Sequence, residues 1–163
     1  MKPLIAVIAP VVLISTSAFP AKAGNGTFSA SIGLTYASVQ TTTISGAGGV
    51  STSSSSTNVT GTALGAEYLF NPKGRLSFGP SLLVWHLPGA DSIPATSSTA
   101  VGLAGSYRIS TTGSARVVVG NQFRFGYTQS FGQKGLYAIG EIVVPNKNQV
   151  DSFGYVGLGY RFK

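Results

Sequence analysis

The 163-residue chain has no cysteine, one histidine, one tryptophan and only four acidic residues. Without cysteine it can build neither a disulfide framework nor a thiolate metal site. A single histidine and four scattered carboxylates (Glu67, Asp91, Glu141 and Asp151) make a poor metal centre, so no metal or other cofactor is expected. Charge of either sign is scarce, at 9% of residues against about 25% in an ordinary soluble domain. A water-facing surface is built largely from such residues, and this chain cannot supply one. It is not disordered either, because 43% of it is hydrophobic and its mean hydropathy is +0.27. Its 22 glycines follow no three-residue period, which excludes collagen. Beyond the first two dozen residues no run approaches the length of an apolar membrane helix.

The N-terminus has the order of a secretory leader. Met1-Lys2 is positive, residues 4–14 are apolar apart from Pro10, and Ala21-Lys22-Ala23 is a small-x-small cleavage site. Residues 1–23 are therefore expected to be a signal peptide and residues 24–163 a single domain. Removing Lys2 and Lys22 lowers the formal charge from +7 to +5.

What is present is alternation with period two, which marks β-strands, over nearly all the rest. Seven segments carry it: residues 26–38, 59–70, 75–87, 99–110, 115–129, 135–144 and 151–162. In the first, Phe28, Ile32, Leu34 and Tyr36 alternate with Ser29, Ser31, Gly33 and Thr35. The charges follow the same rule. Glu67, Arg75, Arg108, Arg116, Arg124, Glu141 and Arg161 all share a face with Gly and Ser, and the aliphatic and aromatic residues take the other. Lys73, Lys134 and Lys147 fall in turns, and Lys163 ends the chain. A sheet with one buried and one wet face would satisfy the alternation. A closed barrel in lipid, apolar outside and polar inside, accounts better for strands so rich in Gly and Ser. The expected fold is thus all-β, an antiparallel up-and-down transmembrane β-barrel. Its strand number should be even, and the length favours eight. The eighth strand is not placed: residues 39–58, a Ser/Thr/Gly stretch, either hide a weak strand or form one long loop.

The last strand ends Gly157-Leu158-Gly159-Tyr160-Arg161-Phe162, with Val156, Leu158, Tyr160 and Phe162 in alternation. This resembles the C-terminal signal of bacterial outer-membrane β-barrels, and in wording the tails of small barrels of the Ail and opacity-protein type. Lys163 departs from that pattern, which usually stops at the Phe. The resemblance implies an eight-stranded barrel in the outer membrane, with Gly157, Tyr160 and Phe162 in the segment read by the barrel assembly machinery. It implies a non-enzymatic envelope-structural or surface-interaction role, with outer-membrane lipid as a partner, any extracellular partner unidentified, and a monomeric state.

Two further roles remain open. The five lumen arginines could line a narrow anion-leaning pore, or pair with Glu67 and Glu141 and plug the barrel. His86, beside Trp85, could act as base for Ser81 or Ser92 with Asp91 as orienter in a lipid-modifying enzyme; its bland alternative is a residue at the lipid–water interface. Gly154, Gly157 and Gly159 lie in a terminal strand with no helix after it, so they are not a nucleotide fingerprint. With no basic cluster, nucleic acid is not expected as a partner.

Overall fold

The computed structural model describes residues 26–46, 50–70, 73–89, 94–132, 135–145 and 152–162. The expected leader at 1–23 lies outside them, as do Asp91, Ser92 and Lys163. Eight antiparallel strands follow one another around a closed barrel. They are β1 (Gly26–Gly46), β2 (Val50–Phe70), β3 (Leu76–Leu87), β4 (Thr96–Arg108), β5 (Gly113–Gly120), β6 (Gln122–Ser130), β7 (Leu136–Pro145) and β8 (Phe153–Phe162). Pairing of β1 with β8, from Phe28–Phe162 to Tyr36–Gly154, closes the ring.

The strand number agrees with expectation, and of the two readings left open for residues 39–58 neither a separate eighth strand nor a loop is found there. Residues 39–46 belong to β1 and residues 50–58 to β2. The extra strand comes from residues 115–129, which form β5 and β6 rather than one strand. Val118 pairs with Arg124 and Val117 with Phe125, so the hairpin folds about Asn121. A register centred on one residue sets odd positions opposite odd positions. The alternation therefore runs through the turn unbroken.

β1 touches β8 only as far as Tyr36, and β2 touches β3 only from Thr62 onward. The remaining halves of the two strands pair with each other up to Gly46–Val50. They form a two-stranded ribbon that continues about 30 Å past the barrel wall at 3.3 Å per residue. The ribbon stands at the end of the β3–β4, β5–β6 and β7–β8 connections. The opposite end holds the start of β1, the end of β8, and the turns joining β2–β3, β4–β5 and β6–β7. The β6–β7 turn uses Gly132 and Gly135 at φ of 66° and 81°, a region that side chains with a Cβ disfavour. The β2–β3 ladder is interrupted opposite Pro80, which has no N–H to donate, and resumes at Phe70–Phe78.

The two faces of the wall differ as the alternation requires. Ile32, Leu34, Leu103, Val119, Val156 and Leu158 point outward, with Val156 69% exposed. Around the end that holds the start of β1, outward aromatics form a belt. Phe28 lies 5.5 Å from Phe162, Tyr160 5.2 Å from Phe162, and Phe70 4.9 Å from Tyr68 and 5.9 Å from Phe78. Tyr107 and Tyr127 extend the belt over β4 and β6, also exposed.

Candidate functional site

The interior has three levels, each set by what the inward positions carry. At the ribbon end it is apolar. Leu83, Trp85, Val118, Val143, Phe153 and Tyr155 are all at most 2% exposed. The Trp85 and Phe153 rings pack at 4.7 Å, and Trp85 Nε1 donates to Gln122 Oε1 at 3.1 Å. Gln122 Nε2 passes the chain on to Ser98 Oγ, also at 3.1 Å. An apolar inner half was not visible in the alternation, because residues 82–85 are apolar at every position and show no period. Trp85 accordingly faces inward, not to a lipid–water boundary.

The middle level is an ion cluster. Arg116 Nε donates to Glu141 and its Nη1 to Glu67. Arg124 Nη1 donates to Glu141 Oε2 at 3.3 Å. Ser81 Oγ accepts from Nη2 of both arginines, at 3.1 Å from Arg116 and 2.6 Å from Arg124. The geometry depends on a glycine. Arg116 pairs with Gly126, and Gly126 pairs with Glu141, so the arginine crosses a strand that presents no side chain. The Gly-with-Arg pattern on the inner face has this physical basis. Two cations and two anions balance in a buried space, the condition under which an ion pair survives desolvation. The cavity left beside them is about 10 Å³, room for about one water.

At the third level, the end opposite the ribbon, stand Arg75, Arg108 and Arg161. They share the inner face with the quartet but do not join it. They line a separate cavity of about 150 Å³ together with Ser77, Ser106, Thr112 and Ser130. Arg161 Nη1 donates to Ser130 Oγ at 2.8 Å, and its guanidinium carbon sits 4.8 Å from the Tyr137 ring centroid. Arg108 Nη1 reaches the Lys73 carbonyl at 3.4 Å. The seven charged residues named from sequence thus divide into a neutral plug and three arginines at the mouth.

His86 points outward, and its Nδ1 lies 2.7 Å from Ser97 Oγ, its cross-strand neighbour. Ser81 is on the other face, held by Arg116 and Arg124, so it is not within reach of His86. The described carboxylates, Glu67 and Glu141, are both inside, so none orients a His86–Ser97 pair. Among the described residues no three His, Cys, Asp or Glu gather into a metal-holding group.

At the C-terminal strand, Tyr160 and Phe162 are outward and about half exposed, whereas Gly157 is buried on the inner face. Gly157 and Gly159 make room for tyrosines: a Cβ at either would meet the ring of Tyr155 or Tyr137.

Fold and site together define a closed, eight-stranded up-and-down barrel with an apolar exterior and a charge-plugged lumen. Comparison with known proteins returns no matching family model, no matching curated protein and no matching solved structure.

Proposed function

We propose that the chain is a small outer-membrane β-barrel protein, non-enzymatic, with an envelope-structural or surface-interaction role. The observation that carries this reading is the exterior: an uncharged apolar wall bounded at one end by a belt of aromatics. Water does not favour such a surface, whereas a bilayer does, and aromatic rings collect where hydrocarbon meets headgroups. In this reading residues 1–23 direct export, and the strand ending in Tyr160 and Phe162 presents Gly157, Tyr160 and Phe162 to the assembly machinery. The belt end, which holds the start of β1 and the end of β8, faces the periplasm and the ribbon faces outward.

The ribbon supports surface interaction. Its flanks carry backbone groups that pair with no other strand among the described residues, and residues 37–61 contain no charge and no proline. Such edges invite strand addition, because they lack the devices that normally block it. What favours a plugged barrel over a pore is the filling of the lumen by the Trp85–Phe153 layer and the Arg116–Glu141 cluster.

Cell fractionation with a heat-modifiability gel tests the proposal. The protein is expected in the outer-membrane fraction, with its unboiled form migrating apart from the boiled one. A chain that stays in solution without detergent and shows no shift on boiling would refute it. In planar bilayers the purified protein is expected to give no discrete channels; regular conductance steps would restore the pore.

A further inference from the structure

We propose that the outer edge of β1, residues 37–46, pairs antiparallel with the same edge of a second copy of this chain, joining two ribbons head-on. This rests on the surface-interaction reading given above and names the partner. β8 leaves β1 at Tyr36–Gly154, and residues 37–46 pair only with β2 among the described residues. A two-stranded ribbon is marginal on its own in water, and three or more strands are needed for independent stability. Two ribbons joined along β1 make one sheet in the order β2–β1–β1–β2.

What the ribbon lacks points to its own kind. Residues 37–61 contain no charged residue, no aromatic and no proline. The side chains that most often anchor a foreign partner, Trp, Tyr and Arg, are therefore missing. What remains to recognise is main chain, the basis of strand addition. Within β1, Val39-Gln40-Thr41-Thr42-Thr43-Ile44 has five β-branched residues of six, and no charge, Gly or Pro. Six-residue segments of that composition are the ones that stack on identical copies. The β2 edge is poorer in such residues, with Ser51, a run from Ser53 to Ser56, and Asn58.

Geometry fixes the arrangement. A twofold axis that brings one strand edge against itself antiparallel runs perpendicular to the sheet and sets one residue opposite its own copy. For residues 37–46 that centre is Thr41 or Thr42, the middle of the stretch. A charge there would face itself, and like charges directly opposite destabilise a sheet. An uncharged edge is what self-pairing requires. The contact is isologous and closes at two copies, whereas β1 against the β2 edge of another copy would propagate into an open array. β1 runs away from the barrel toward the ribbon tip, so antiparallel partners approach from opposite directions with their barrels at the far ends. In the outer-membrane reading the two barrels sit in apposed membranes.

The test is sedimentation of the purified protein in density-matched non-ionic detergent, with amide exchange across residues 37–46. A monomer–dimer equilibrium is expected. Every second amide of this stretch should exchange fast in the dilute monomer and become protected in the dimer. Thr41→Lys/Thr42→Lys and Thr41→Glu/Thr42→Glu should each weaken association by about tenfold or more, and an equal mixture of the two should recover it. Unchanged Trp85 emission shows that the barrel is intact. Ser54→Lys/Ser55→Lys changes the β2 positions that pair with Thr42 and Thr41. These lie about 10 Å from the partner strand, a Debye length away, and should leave association within about twofold. Phosphatidylcholine vesicles bearing the protein are expected to clump, and those bearing the lysine variant to stay dispersed. A monomer at every concentration, edge amides already protected in the dilute monomer, a mixture that does not recover, or dimers without clumping of vesicles would each overturn the proposal. A chain that stays in solution without detergent would refute the outer-membrane reading and leave the sedimentation and exchange tests standing.

Discussion

Arg116 engages two carboxylates at once, Glu141 through Nε and Glu67 through Nη1, and so ties β5 to β7 and β2 through the middle of the barrel. The two acids are not equivalent. Glu141 also accepts from Arg124 and its side chain is fully buried, whereas that of Glu67 is 10% exposed. Removing one partner of a buried pair costs about 3–5 kcal/mol, because the charge left behind has no solvent. Glu141→Gln is therefore expected to cost about 3 kcal/mol or more, and Glu67→Gln clearly less. Urea unfolding followed by the emission of Trp85, the only tryptophan, measures both. Equal losses would show that Arg124 contributes nothing to the cluster.

Gly126 is the gap through which Arg116 reaches Glu141. A Cβ there would meet the Gly140 carbonyl, and Cα and Cγ of Glu141 at 2.7 and 2.8 Å. Backbone cannot yield as a flexible side chain does, so Gly126→Ala should destabilise by about 1–3 kcal/mol. Gly140→Ala, where a Cβ meets nothing within 4 Å, is the control and should be close to neutral. The same unfolding curves decide, and equal stability of the two variants would contradict this account.

Asn121 makes the turn that separates β5 from β6 and fastens it to β4. Its Oδ1 accepts from Val101 N and its Nδ2 donates to Thr99 O, each at 2.8 Å. Each hydrogen bond contributes about 0.5–1.5 kcal/mol net, so Asn121→Ala should cost about 1–2 kcal/mol. Faster amide exchange at Val101 should accompany the loss. Unchanged exchange there would mean that the side chain does not hold the turn.

The exterior can be tested by depth. Ile32 lies midway along the outward row from Phe28 to Tyr36, and Leu76 lies at the belt end of β3. In a bilayer an outward arginine costs about 2–4 kcal/mol at the midplane and about 0–1 near the interface. Ile32→Arg should therefore destabilise the protein in lipid vesicles far more than Leu76→Arg. Equal effects at the two depths would argue against a membrane around this wall.

How much of this was legible depends on where the period-two signal survives. It assigned Glu67, Arg116, Arg124 and Glu141 to one face, where the structure joins them. It failed at residues 82–85, where both faces are apolar and Leu83 and Trp85 turn inward. It also failed to separate β5 from β6, because a register centred on Asn121 keeps odd residues outward on both sides of the turn. Position 121 itself carried a signal, since Gly120-Asn121 is a turn-forming pair inside an apparent strand. The Ser/Thr/Gly stretch of residues 39–58 carries no clear period, so it read as either a weak strand or one long loop and left the eighth strand unplaced. Its residues 39–46 and 50–58 instead continue β1 and β2, held by backbone pairing that does not depend on side-chain pattern.

By itself, then, the sequence determined the fold class and the sidedness of the wall. Alternation is local, and a chain with 9% charged residues has few ways to place them. Only the tertiary structure decided which arginines meet which carboxylates. That depends on strand register around a closed ring, where Gly126 lets Arg116 reach Glu141 and where Arg75 and Arg108 are neighbours at the mouth. Coulomb and desolvation energies act through space, so residues with identical local patterns divide into a neutral plug and a cationic rim.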